Sequence, residues 1–247
     1  MRILVCGDIH CKPYILKSAL KATKWDLFVF LGDACDNFGA TQEDNINIIK
    51  LLIETKKKYG DKFVWLLGNH DWGYYDDSID MTGHIRAGAA NVHHLLKDNI
   101  DLWDLFYAKD KYIFSHAGIS ADFLIETSDY PYKELKEKVG ANNPMNNVGY
   151  LCGGSSPNPS LLWARPEEVK PLALDNIQIV GHTPVSKITV WNDKMVICDT
   201  FSQYPNKKFC GDKTLLLIDG NELKAINYET GRKKYGIDLS DASTPRN

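Results

Sequence analysis

Several absences narrow the possibilities before any motif is read. No stretch of the 247 residues holds the roughly 18 consecutive apolar side chains of a membrane span. Neither sign of charge dominates: 29 Lys and Arg stand against 32 Asp and Glu, a net charge of −3. No global field therefore gathers nucleic acid or an anionic membrane surface. The basic runs that exist, Lys56 to Lys58, Lys207 to Lys208 and Arg232 to Lys234, are short and read as solvated faces. The six cysteines show no CxxC spacing, and nothing signals the oxidising compartment they would need to pair. They read as reduced thiols. Met1 and Arg2 lead straight into an apolar run that ends at Gly7, which is not a secretory leader, so a cytoplasmic protein is expected. No internal repeat and no linker is visible. The expectation is a single domain over residues 1–239, with a frayed tail over 240–247.

With 44% hydrophobic and 25% charged residues, the chain can build a sizeable core. Its first half alternates short apolar runs with helix-patterned stretches. Arg2 to Cys6, Leu27 to Leu31 and Phe63 to Leu67 read as buried strands. Tyr14 to Ala22 and Asn45 to Tyr59 read as helices, the second with Ile46, Ile49, Leu52 and Ile53 on one face and Gly60 closing it. Such alternation implies parallel strands joined by crossover helices, hence an α/β core. From Asn91 the runs "NVHHLL", "DLWDLFYA" and "KYIFSHAG" read as β-like, with a short helix over 132–139. Residues 140–160, dense in Gly, Pro, Asn and Ser, read as an irregular loop of the kind that carries function. Strands return after Asn176 as "IQIVG", "KITVW", "MVICD", "TLLLID" and "ELKAIN".

Four of the apolar runs end alike. "ILVCGDIH", "LFVFLGDACD", "FVWLLGNHD" and "IQIVGHT" each close on glycine and then present Asp, Asn or His. In an open α/β sheet, ligands bind at the carboxyl ends of strands, and glycine there lets the backbone turn and approach closely. The residues gathered are Asp8, His10, Asp33, Asp36, Asn69, His70, Asp71 and His182, with His116 following the run in "YIFSHAG". Four of the seven histidines fall at these ends. Carboxylates, an amide carbonyl and imidazoles suit hard-to-borderline divalent metals, and no cysteine recurs at the tips. The set suffices for two ions. A shared carboxylate would hold them ~3.5–4 Å apart, where they lower the pKa of a bound water and clamp phosphoryl oxygens.

The order GDxH, GDxxD, GNHD, a later His, then GHT resembles the calcineurin-like metallophosphoesterase superfamily, over residues 7–183. "LLWARP" and "VGHTP" make the chain most similar to its phosphoprotein phosphatase branch, especially small bacterial and phage members. The resemblance implies an α/β/β/α sandwich, four layers built on two mixed sheets flanked by helices. It implies Asp8, His10 and Asp33 around a first metal, and Asp33, Asn69, His116 and His182 around a second. His70 would be the general acid, held by Asp36. Asn69, Arg165 and Asn37 would contact phosphate, and Asp199 would orient a metal-ligand histidine. Manganese is the expected ion, with iron or zinc also suited. The implied activity is metal-dependent hydrolysis of phosphate esters, of the serine/threonine protein phosphatase type. A nucleotide or dinucleoside-polyphosphate hydrolase, a polynucleotide-end phosphatase or phosphodiesterase, and a non-catalytic binding module stay open. The expected partner is a phosphorylated protein or nucleotide; no membrane is implied, and there is no strong sign of nucleic acid.

Three positions depart from the pattern. The second motif continues "GDACDNFG", with Asn37 where the family carries an arginine. Asn37 can donate to phosphate but brings neither charge nor a bidentate fork. Cys11 stands where glycine is usual, as a packing residue or a modulator of metal access. Pro184 follows GHT where phosphodiesterase branches carry a further histidine, which moves the reading toward phosphatases. Arg165 is the best remaining phosphate clamp, and Arg86 a weaker one. Asp71 reads as a loop support, and His84, His93 and His94 as surface or core residues. Trp72, Tyr74 and Tyr75 line a substrate groove or pack, with the sequence alone not choosing.

Overall fold

The structure is a computed structural model that describes residues 1–240 except 79, 80, 82, 139 and 171–175. The expected tail thus lies almost wholly outside the described residues. Two mixed sheets pack face to face, flanked by helices, as expected. In the first, β1 (Arg2–Cys6), β2 (Leu27–Phe30) and β3 (Phe63–Trp65) run parallel. Antiparallel β9 (Thr214–Asp219), β10 (Glu222–Asn227) and β11 (Lys233–Ile237) extend that sheet in the order β11-β10-β9-β1-β2-β3. The second has the order β4-β5-β6-β8-β7: β4 (Phe106–Lys109), β5 (Tyr112–Ser115), β6 (Ile177–Pro184), β8 (Met195–Asp199) and β7 (Thr189–Trp191). In it β5, β6 and β8 are mutually parallel.

The strand period of two explains the continuous apolar runs. On β1, Ile3 and Val5 point into the space between the sheets, where they meet Phe114, Ile179 and Val196. Leu4 and Cys6 point the other way, onto α1 (Pro13–Ala22) and α2 (Gln42–Tyr59) through Ile15, Leu16, Ile48 and Leu52. Both faces are dry, so nothing in the strand need be polar until the chain leaves the sheet. Each fully buried large side chain contributes about 1.5–3 kcal/mol. These two layers of contact fix where the strand ends lie.

Helix α2 starts three residues earlier than its apolar pattern suggests. Thr41 and Asp44 form a reciprocal capping box, and the buried face is Asn45, Ile48, Ile49, Leu52 and Ile53. "NVHHLL" is helical, not β-like: it lies within α4 (Ala89–Lys97), whose buried Val92 and Leu96 stand four residues apart. "DLWDLFYA" splits into a 3-10 turn at Ile100–Leu102 and the short β4. The short helix expected near 132 is α6 (Tyr132–Glu137), preceded by α5 (Ala121–Glu126). Residues 140–160 contain two 3-10 turns and otherwise irregular chain. Strand β11 carried no apolar run in its sequence, and its exposed edge position explains why.

Candidate active site

The carboxyl ends of β1, β2 and β3 meet those of β5, β6 and β8 along one seam between the sheets. Asp8 and His10 follow β1, Asp33 and Asp36 follow β2, and Asn69 and His70 open α3 (Asn69–Tyr75) just after β3. From the other sheet come His116, directly after β5, and His182, at a register shift in β6 between Val180 and Pro184. His10, Asp33, Asp36 and His182 all have positive φ, between 41° and 61°. A cluster of left-handed side-chain-bearing residues is uncommon, and here it aims their side chains into one space.

The glycines have a more specific task than turning the chain. A Cβ on Gly68 would collide with the carboxylate and backbone of Asp33, and one on Gly181 with the carboxylate of Asp8. These two strand-end glycines therefore make room for an acidic side chain delivered by another strand, while Gly7 and Gly32 make room for neighbouring backbone.

Asp8, His10 and Asp33 bring ligand atoms within 4.8 Å of one another, and so do Asp33, His116 and His182. Asp33 belongs to both groups, with Oδ2 3.9 Å from His10 Nε2 and Oδ1 3.4 Å from His116 Nε2. Each imidazole is fixed by a backbone carbonyl that accepts from its other nitrogen. His10 Nδ1 donates to Cys35 O (3.0 Å), His116 Nδ1 to Leu31 O (2.9 Å) and His182 Nε2 to Trp163 O (3.1 Å). The tautomers follow, and a lone pair on each ring points inward. His116 Nε2 and His182 Nδ1 converge on Asn69 Oδ1 at 2.9 and 3.0 Å. Acceptors facing acceptors in a buried space fit a cation between them.

The acids tell the same story. Asp8 Oδ1 is buried with no hydrogen-bond partner, while Oδ2 accepts from the His182 backbone N–H at 2.8 Å. Burial, then the nearby Asp199 and Asp33 carboxylates, push Asp8 well above the usual carboxylate range. Asp33 goes the opposite way: burial would raise it, but His116, His70 and His10 hold it below its ordinary value. Burial lowers His10 to about 4 and carries His182 well down too, so both rings are neutral, as metal ligation requires. The residues present fit two divalent cations.

His70 lies beside this cluster, half-buried, its ring edge-on to His10 at 5.2 Å between centroids. Its Nδ1 is 2.9 Å from Asp36 Oδ2, and its backbone N–H donates to Asp33 Oδ1 at 2.9 Å. Burial lowers its pKa, but Asp33 and Asp36 outweigh that and raise it to about 9. The other Asp36 oxygen accepts from Tyr74 Oη at 2.7 Å, and Asn45 Oδ1 accepts from the Asp36 N–H at 2.9 Å. Arg165 lines the same pocket of about 370 Å³ as His10, Asp33, Asn69, His70 and His182. Its Nη1 donates to His182 O (2.9 Å) and Thr183 Oγ1 (3.2 Å). Asn37 is not in that pocket but in an adjoining one, its Nδ2 donating to Gln203 Oε1 at 3.3 Å.

Other expectations meet mixed outcomes. Asp71 supports the loops, accepting from the N–H groups of Ala34, Cys35 and Gly68. Asp199 does not orient a histidine: it accepts from Ser202 N (3.0 Å) and Oγ (2.7 Å) and stays close behind Asp8. Trp72 and Tyr75 are buried packing residues, and Tyr74, also buried, turns its hydroxyl onto Asp36. Cys11 donates to Asn45 Oδ1 at 2.9 Å, which makes it part of the support beneath Asp36. Arg86 is exposed. Sequence reasoning missed Asn45 and Lys12, and the hydrogen bond that ties Tyr74 to Asp36. Asn45 had a signal, an amide at a buried helical position. Lys12 is buried, its Nζ donating to His10 O at 3.2 Å. Burial lowers it to about 8 against the pull of Asp199.

The model of the family described as calcineurin-like phosphoesterase matches residues 1–212. The serine/threonine-protein phosphatase 4 catalytic subunit of Kluyveromyces lactis is 25% identical over 178 residues, 68% of this chain and 50% of that protein. The chain thus spans about half the length of that curated relative. Among solved structures, a cold-active protein-tyrosine phosphatase from a psychrophilic Shewanella species aligns with a TM-score of 0.65 at 18% identity. That alignment covers 94% of this chain and 79% of that one. A protein serine/threonine phosphatase from Saccharomyces cerevisiae, with similarity to human phosphatase PP5, aligns at 0.58 and 14% identity, covering 88% and 72%. These likenesses bear on the fold.

Proposed function

The chain belongs to the calcineurin-like phosphoesterase family, and from that premise we propose that it is a phosphomonoesterase of the protein phosphatase type, working on phosphorylated hydroxyl side chains of proteins. The observation that carries the reading is the pair of ligand groups sharing Asp33, with the His70–Asp36 pair directly beside them. Asp8, His10 and Asp33 would hold one ion, and Asp33, Asn69, His116 and His182 the other. When bound, such a pair supplies a water of lowered pKa and neutralises phosphoryl charge.

The chain's own groups do the rest. Asp36 accepts from His70 Nδ1, which leaves Nε2 as the proton donor to the departing oxygen. A pKa raised to about 9 keeps His70 protonated at neutral pH, in the form an acid needs. The Arg165 guanidinium, anchored on the His182 carbonyl, gives the pocket its fixed positive charge for equatorial phosphate oxygens. Asn69 adds a polar contact from the first turn of α3. Manganese is the ion proposed to support activity.

The test is a hydrolysis screen of metal-stripped protein with and without added Mn. Its substrates are an aryl phosphate, a phosphoserine peptide, a dinucleoside polyphosphate and an oligonucleotide bearing a terminal phosphate. Mn-dependent turnover of the peptide above the nucleotide substrates is the expected result. Preferred cleavage of the polyphosphate or the oligonucleotide would replace the protein-phosphatase reading. No turnover with two ions bound would replace it with a binding module.

A further inference from the structure

The pocket of the two ligand groups and the adjoining one share two walls, His10 and His70. His70 is the group proposed above to protonate the leaving oxygen, so a group hanging from that oxygen lies against His70, at the mouth of the second pocket. That pocket measures about 360 Å³, far more than the methylene of a serine would occupy. Its character is apolar. Phe38, 46% exposed, and Ile85 stand on its walls, with glycine backbone between them. Its amides are tied to each other and to the backbone: Asn37 Nδ2 donates to Gln203 Oε1, Asn37 Oδ1 accepts from the Phe38 N–H, and Gln203 Nε2 donates to Lys207 O.

The pocket is also held open by the acid's own support. The Ile85 N–H donates to Tyr74 Oη at 3.0 Å, and that hydroxyl donates to Asp36. With Asn37 where the family's arginine would stand, the positive charge in the lining is that of His70, on the wall shared with the reacting pocket, and the Lys207 ammonium comes near the rim at Gly39. A preformed, largely apolar pocket whose two amides are tied to each other and to the backbone suits a flat ring rather than a second phosphate or a short alkyl chain.

We infer that this pocket receives the phenol ring of phosphotyrosine, so that Phe38, Ile85 and the Asn37–Gln203 amide pair set a preference for phosphotyrosine over phosphoserine. The inference rests on the phosphatase reading above and narrows its substrate. The experiment compares the Mn-loaded full chain with Phe38→Ala and Gln203→Glu on a phosphotyrosine peptide, a phosphoserine peptide of the same flanking sequence, and AMP. Taking each variant relative to wild type on the same substrate cancels the intrinsic reactivity of the leaving groups. Unchanged thermal unfolding shows that the variants are folded.

The expected result is a fall of about tenfold in kcat/KM for the phosphotyrosine peptide in both variants, with the phosphoserine peptide within about twofold. Equal losses on both peptides, or none on either, would overturn the inference while leaving the phosphatase reading intact. Losses confined to AMP would give the pocket to a nucleobase instead. Absence of turnover in the wild type on every substrate would bring down the phosphatase reading and this inference with it.

Discussion

At the scale of single residues the site rests on one imidazole and its support. If His70 is the acid, His70→Asn lowers kcat on a phosphoserine peptide by about 10²–10³. It costs much less on nitrophenyl phosphate, whose leaving group departs without a proton. Equal losses on the two substrates, read from steady-state kcat, would remove the assignment. Asp36 acts through His70. Its carboxylate helps raise the imidazole to about 9, so Asp36→Asn moves the alkaline limb of the pH–kcat profile to lower pH, besides lowering kcat. A limb that stays in place would reduce Asp36 to packing. Both residues were legible in sequence, because each stands just after a strand that ends in glycine. The role of Tyr74 was not: nothing in "HDWGYY" marks the hydroxyl that turns back onto Asp36, since the contact spans 38 positions and exists only in the fold.

At the scale of elements, the strand–glycine–ligand units divide the work, and the division is testable. Gly68 borders Asp33, the carboxylate common to both ligand groups, whereas Gly181 borders Asp8, which belongs to one. Gly68→Ala should therefore weaken both ions together, as Asp33→Asn should. Gly181→Ala should weaken chiefly the ion held by Asp8 and His10. Bound Mn per chain, measured by atomic absorption after dialysis, reads the difference directly; a Gly68→Ala protein that keeps two tight ions would refute it. The same elements show where pattern reading stops. Strands buried on both faces announce themselves as unbroken apolar runs, and β1, β2 and β6 were read without trouble. Helix α4 was not, because Val92, Leu95 and Leu96 make too short a signal to separate a period of 3.6 from one of two. Asp199 was misread for a different reason. A strand-end acid fits either role, and only the position of Ser202 decides whom it accepts from.

At the scale of the whole molecule, one sheet delivers Asp8, His10, Asp33 and Asn69 and the other delivers His116 and His182, so the ions would tie the two sheets together across their seam. Folding and metal binding are then one equilibrium, and pH should move it in a stated direction. In the metal-free protein His70 titrates near 9 against an ordinary 6.5. Between those values the native state keeps a proton that the unfolded chain has released, so this group's stabilisation is full below 6.5 and lost as pH rises toward 9. Asp8, held above its ordinary range, adds a slope of the same sign. His10 and His182 are lowered by burial and exert their opposing slope below 6.5, and Lys12 exerts its own only from about 8 upward. From pH 6.5 to 8 the metal-free Tm should therefore fall, and His70→Asn should flatten that fall. Bound Mn reverses the requirement, since its ligands must be deprotonated, so the increment in Tm on adding Mn should grow over the same range. Calorimetric scans of stripped and Mn-loaded protein at several pH values measure both slopes. A metal-free Tm that climbs with pH, or an Mn increment that shrinks, would mean that the buried acids and imidazoles at this seam are not poised for cations.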